Sequence, residues 1–184
     1  MPSDSMTTEQ YANFTECIHE IRQRAEQDDP LIRRLLYANV VTSLEVYLQA
    51  VALHLIDQAP SLAINVANTK KFRSMRVSLE FALKSDIHQY LIALIHHINF
   101  HNLSDVEPLF REAFDIRIKI TDEVLDVITC RHDIVHRNGK DQQGRCRNIS
   151  HKSLDAAIVV VDQLVSDVDR QLLDTFGALF PYGE

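Results

Sequence analysis

LIRRLLYANVVTSLEVYLQAVALHLIDQ, residues Leu31–Gln58, runs for 28 positions without a glycine or a proline. Leu35, Leu36, Val40, Val41, Leu44, Tyr47, Leu48, Val51 and Leu55 recur at three- and four-residue intervals and cover most of a helix's circumference. Such a helix has no wide polar face to offer water, so it belongs at the centre of a bundle or at a subunit interface. What remains polar is a narrow stripe of Arg34, Thr42, Glu45 and Gln49. Asp29-Pro30 just before the stretch reads as an N-cap followed by a proline at the first helical position.

Outward from this stretch the same grammar continues. The chain has 184 residues and four glycines, Gly139, Gly144, Gly177 and Gly183, all beyond residue 138. Average composition would supply about 13 in a chain of this length. A β-sandwich or barrel needs glycine-bearing turns every 8–12 residues or so, and phosphate-cradling loops need glycines at fixed offsets; both are excluded over the first 138 residues. The fold class is therefore all-α: one helical bundle of about five to six helices, with residues 1–184 forming a single domain.

The first helix is expected from about Thr8 to Gln27, with Thr7 and Gln10 as a capping box and Phe14, Ile18, Ile21 and Ala25 as its apolar stripe. Residues 60–74 are less regular. A third long helix is expected over roughly Arg76 to Phe100, and a short fourth begins near Pro108. A fifth starts near Thr121, where Asp122, Glu123 and Asp126 suit the positive end of the helix dipole, and stops at Asn138-Gly139. After a polar loop, Lys140–Asn148, Ser150 caps a last helix through Ala156, Ile158, Val161, Leu164, Val168 and Leu172 to about Gly177.

Composition narrows the function classes. The first residues, Met1 to Ser5, lack the basic start and apolar run of a secretory signal, and no uninterrupted apolar stretch approaches 18 residues; a cytoplasmic protein with no membrane partner is expected. Cys17, Cys130 and Cys146 are odd in number and lack CxxC spacing, so reduced thiols are expected. The net charge of −7 argues against bulk nucleic-acid binding, yet it is unevenly spread. Arg131, Arg137, Lys140, Arg145, Arg147 and Lys152 face only Asp133 and Asp141, making this segment +4 and the remainder −11. This basic island is either a landing place for a polyanion or a solvated loop.

The stretch richest in chemistry is Arg131-His132-Asp133-Ile134-Val135-His136-Arg137-Asn138-Gly139. Between Val127/Ile128 and Ile134/Val135, helical periodicity calls for an apolar side chain where Arg131 stands. A guanidinium there needs a partner: either an ion pair within the fold or a solvent-lined site. His132 and His136 are four apart on one helix face, and an imidazole exchanges protons near neutral pH. The dipole at the helix's last turn favours a protonated His136. Arg131 offers a fork that matches phosphate. These are the parts of metal-free phosphodiester cleavage, a proton shuttle and a cation for developing negative charge. Five residues at about 100° each nevertheless set Arg131 and His136 roughly 140° apart around the axis. They converge only if the helix loosens near its end or if two chains contribute.

Arg131, four residues, then His136 resembles the R-x(4–6)-H motif of the HEPN superfamily, and RHDIVHRNG is similar to its RiboL-PSP branch. VTSLEVYLQ at Val41–Gln49 and the serine-initiated last helix resemble the same branch, so the likeness spans roughly residues 30–175. The resemblance implies a small helical bundle that dimerises and brings both motifs into a shared cleft. It implies a metal-independent endoribonuclease needing no cofactor, often a toxin or anti-phage effector, with RNA and an antitoxin or other regulatory partner as its partners. In that scheme the RNA 2′-hydroxyl attacks the adjacent phosphate to leave a 2′,3′-cyclic phosphate and a 5′-hydroxyl. His136 would act as general base or acid and Arg131 would stabilise the phosphorane. The position after the arginine is usually Asn or Asp in the family; here it is His132, the third catalytic candidate. Asp133, Arg137, Asn138 and Lys140 flank the motif as substrate-binding candidates.

Other readings compete. Glu45 either orients Arg131 across the helix packing or is simply exposed, and its place on the polar stripe with Arg34 and Gln49 favours exposure. His97 and His101, with His96 and His88 nearby, have the spacing of paired metal ligands on a helix. No H-E-x-x-H glutamate accompanies them, which favours surface histidines or a nucleic-acid contact over a metal-dependent hydrolase. Tyr37, Tyr47, Phe72 and Phe81 look like core aromatics, and Cys130 is either a low-pKa thiol or a packed small side chain. A non-catalytic helical module that binds RNA or protein is the remaining alternative.

Overall fold

A computed structural model describes residues 7–26 and 29–180. The expected first-helix end at Gln27, the opening Met1–Ser5, Pro181 and Gly183 lie outside the described residues. The fold is an all-α bundle built from α1 (Glu9–Arg24), α2 (Pro30–Gln58), α3 (Pro60–Asn68), α4 (Leu79–Lys84), α5 (Ile87–His96), α6 (Leu103–Phe114), α7 (Asp122–His136) and α8 (His151–Phe176), followed by a 3-10 turn at Gly177–Leu179.

α2 is the axis, packed by α1, α3, α5, α7 and α8. The Asp29 carboxylate accepts hydrogen bonds from the Leu31 and Ile32 backbone N–H groups, as its place before Pro30 predicts. Val40, Val41, Leu44, Leu48, Val51, Ala52, Leu55 and Ile56 are wholly buried. By length and apolarity α2 matches a membrane span, but these side chains are already satisfied by the bundle. Leu35, placed on the apolar surface by periodicity, faces solvent at 60% exposure.

Three expectations about element boundaries are corrected. The capping threonine of α1 is Thr8, whose hydroxyl accepts from the Tyr11 N–H, one residue beyond the Thr7 expected. The third long helix is not continuous: it is replaced by α4 and α5, which stop and restart at Ser85-Asp86. Asp86 caps α5 by accepting from the His88 and Gln89 N–H groups, and this local bond competes with helix continuation. Pro108 lies inside α6 rather than near its start. With Pro60 heading a helix of its own, these breaks raise the count to eight α-helices among the described residues, above the five to six expected.

Tyr37, Tyr47 and Phe72 are buried as expected, whereas Phe81 stays half-exposed and packs edge-on against Tyr90, with centroids 4.9 Å apart. Ile64, Met75, Val77 and Ile87 are exposed around an apolar groove of about 420 Å³ between α3 and α5 that Phe72 and Tyr90 also line.

One buried carboxylate ties three helices. Asp169 on α8 is 3% exposed and accepts from the Thr8 backbone N–H, the Thr8 hydroxyl and, at 3.2 Å, the Tyr47 hydroxyl of α2. Burial pushes its carboxyl above the usual range, more than these bonds pull it down. The folded state therefore holds this proton more tightly than the unfolded chain does. The stabilisation is fully present below the unfolded carboxylate pKa and declines as pH rises through the elevated folded value. Asp169→Ala, which strands three donors, is expected to cost about 2–4 kcal/mol. Urea denaturation should show a wider gap from wild type at pH 4.5 than at pH 7; equal gaps would contradict this role for burial.

Candidate functional site

α7 presents the motif. The Thr121 hydroxyl caps its start, and it remains α-helical through His136, so Arg131 and His136 occupy one regular helix. Its buried face is Val124, Val127, Cys130 and Asp133. This seam lies one residue away from the expected apolar stripe: Val135 is 49% exposed, while an aspartate points inward.

Arg131 lies beside that seam with its side chain only 13% exposed. Its Nη2 stands 3.5 Å from Glu45 Oε1 on α2, an ion-pair distance too long for a well-formed hydrogen bond. Its buried Nε has no hydrogen-bond partner among the described residues. Glu45 is thus not the freely exposed residue its stripe position suggested: 23% of its side chain is accessible, and it faces Arg131. The same Oε1 also accepts from Nδ1 of His101, which is 21% exposed. Two cationic or proton-bearing groups therefore converge on one carboxylate oxygen, and nothing in the residue spacing joins His101 to this site. α5 ends at His96 and His97 is its exposed C-cap, so His97 and His101 do not share a helix face and the premise of a helical metal-ligand pair fails.

His132 and His136 project together from the exposed side of α7, ring centroids 4.7 Å apart and tilted by 45°. Partial desolvation, and then electrostatic repulsion from its neighbours, Arg137 first, holds the His132 imidazole below its ordinary pKa. At neutral pH it is an uncharged ring with one acceptor nitrogen.

Asp133 organises the end of the helix. It is 1% exposed, and both carboxylate oxygens are occupied: Oδ1 by Arg137 Nη1 at 2.6 Å, Oδ2 by Arg147 Nε at 3.0 Å and Nη2 at 2.9 Å. Burial works to raise its pKa, but the hydrogen bonds from Arg137 and Arg147 outweigh it and hold the carboxyl below the usual range. Its backbone carbonyl accepts from the N–H groups of Arg137 and Gly139. Asp133 is therefore turned away from solvent, and it pins the end of α7 to the loop between α7 and α8. Arg137 is partly engaged in the same knot.

Asn138 (φ 51°) and Gly139 (φ 77°) turn the chain through the left-handed region. Gly139 is buried against Arg34, and a Cβ there would stand 3.0 Å from the movable Arg34 Nη1, so it is the left-handed backbone conformation that favours glycine. The expected polar loop is ordered into a small hairpin, with an antiparallel bridge between Lys140 and Cys146 and an Arg145–Asp141 ion pair at 2.7 Å. The basic island keeps the +4 that already counts Asp133 and Asp141; what the structure adds is which of its cations are taken up by them. Arg137, Arg145 and Arg147 are paired, which among the described residues leaves Lys140 and Lys152 as exposed cations of the island without an acidic partner. Cys130 packs beneath this loop beside Tyr37, and burial pushes its thiol up, contrary to the reactive-thiol alternative.

The arrangement can do two things: offer an incompletely partnered guanidinium to an anion, and move protons through imidazoles on either side of it. Comparison of the chain with known protein families, with characterised proteins and with solved structures finds no match.

Proposed function

We propose that this chain is a cytoplasmic, metal-independent endoribonuclease of the HEPN type. The observation that carries the proposal is Arg131: a largely buried guanidinium, loosely ion-paired to Glu45, whose Nε finds no hydrogen-bond partner among the described residues. A cation desolvated at that cost and left with donors unused is suited to an anionic group that it meets only during function. In the reaction, the 2′-oxygen of a ribose bonds to the adjacent phosphorus as its proton leaves to a base. The bond from phosphorus to the 5′-oxygen then breaks, and that oxygen takes up a proton. Arg131 compensates the extra charge on the phosphorane oxygens, and His136 moves one of the protons. Uncharged His132 hydrogen-bonds the substrate beside it. Asn138 and Lys140 meet the RNA backbone, while Asp133 and Arg137 hold these residues in place. With α7 regular, two copies of the chain are needed for one Arg131 to meet a His136, which agrees with a homodimer whose cleft is shared.

A second reading has its own observation. Within one chain Arg131 turns towards Glu45 while His136 is exposed on another side of the helix. A non-catalytic RNA- or protein-binding module, in which Arg131 only secures α7 to α2, would be built the same way. Incubation with RNA and with an all-deoxy oligonucleotide, both in EDTA, separates the two. Cleavage of RNA alone supports the enzyme; no cleavage across varied RNAs favours the binding module. Comparable cutting of DNA, which has no 2′-hydroxyl, contradicts the mechanism.

A further inference from the structure

We infer that His101 is the second proton-transfer group of this site, the base that takes the 2′-hydroxyl proton, with Glu45 as its orienting carboxylate. The inference rests on the ribonuclease reading and adds to it a residue that lies 30 positions before the motif, in the turn between α5 and α6.

In-line cleavage needs two proton transfers, on opposite sides of the phosphorus. His136 can serve one side only, and on regular α7 it lies roughly 140° around the axis from Arg131. The imidazole on Arg131's own side is His101, because both touch the same Glu45 oxygen. In the neutral ring, donation of Nδ1–H to the Glu45 carboxylate selects the tautomer whose Nε2 carries the lone pair a general base requires. The ring is also held in place. Its neighbours Phe100 (3% exposed) and Leu103 (2% exposed) are anchored in the core, and the Asn102 N–H bonds the Asn99 carbonyl across the turn. One-fifth of the His101 side chain remains accessible, enough for a substrate hydroxyl to reach it. The proton count closes: His101 gains the 2′-hydroxyl proton as the O2′–P bond forms, and protonated His136 gives one to the departing 5′-oxygen as the P–O5′ bond breaks. Solvent then restores both imidazoles.

The test is RNA cleavage in EDTA by the full-length chain, comparing wild type with His101→Ala, Glu45→Gln and Arg131→Ala, each with and without added imidazole. His101→Ala should lose about 10²-fold or more in rate and recover part of it with imidazole. Arg131→Ala should recover nothing, and Glu45→Gln should lose a smaller factor because the ring stays but its orientation is no longer fixed. Should His101→Ala fail to fold by circular dichroism, His101→Gln carries the same expectation. A folded His101 variant that cleaves at the wild-type rate, while Arg131→Ala is dead, overturns this inference and leaves the ribonuclease intact. A folded, inactive His101 variant that imidazole does not restore assigns the residue a structural role and also overturns it. Inactive wild type on every RNA removes both readings together.

Discussion

Arg131→Ala is expected to lower RNA cleavage by about 10²–10³-fold, the range seen when one preorganised donor to a developing oxyanion is removed. The guanidinium sits at the apolar α2–α7 seam, where a charge acts through a poorer dielectric than water and its field at a bound phosphate is stronger. The fold should survive the change. The Glu45 contact is long, and Glu45 retains His101 as a partner. Arg131→Lys should rescue little, because an ammonium is a point charge that cannot present two parallel donors to phosphate. Initial rates on a labelled RNA, with melting curves recorded in parallel, check both statements. A rate within a fewfold of wild type would place Arg131 among the structural residues and favour the binding module.

The largest effect on stability is expected at Asp133. Asp133→Asn keeps the volume but removes the charge that faces Arg137 and Arg147, and it sets an amide donor against guanidinium donors. Breaking one partner of a buried ionic knot is much more damaging than never having built it. The melting temperature at pH 7 should fall by roughly 10 °C. The pH dependence is opposite in sign to that at Asp169. The folded carboxyl of Asp133 is depressed, so its stabilisation is present above the unfolded carboxylate pKa and is lost as pH falls through the folded value. The difference between wild type and Asp133→Asn should therefore shrink in acid. Cleavage should fall as well, since the same carboxylate positions the turn at Asn138-Gly139 and the hairpin carrying Lys140. An unchanged melting temperature would show that Asp133 does not organise this end of α7.

The all-α architecture was legible because a missing residue type is itself informative: 138 positions without glycine leave no place for hairpin turns. Capping chemistry was legible too, at Asp29-Pro30 and Ser150, and the acidic residues after Thr121 marked the start of α7. The break between α4 and α5 carried a readable signal, since Asp86 ahead of an apolar run is an N-cap. Reading residues 76–100 as one helix passes over that cap. At the site, the sequence singled out Arg131 as a charge out of place. It could not name the partner, because Glu45 and His101 are 56 residues apart and meet only through the packing of the α5–α6 turn against α2. The stripe pattern even argued the wrong way for Glu45, which a local polar face marks as exposed whether or not another helix covers it. Asp133 was hidden for a related reason. Charge counting treats an aspartate in a basic segment as a surface counterion, and only the returning loop with Arg147 shows that it is the buried centre of the knot.

The most direct measurement is the chemistry of the product ends when wild-type protein is incubated with RNA in excess EDTA. Fragments ending in a 2′,3′-cyclic phosphate on one side and a 5′-hydroxyl on the other, formed at the same rate with and without EDTA, are the predicted result. Fragments with 5′-phosphates, cleavage that EDTA abolishes, or no cleavage at all would contradict it.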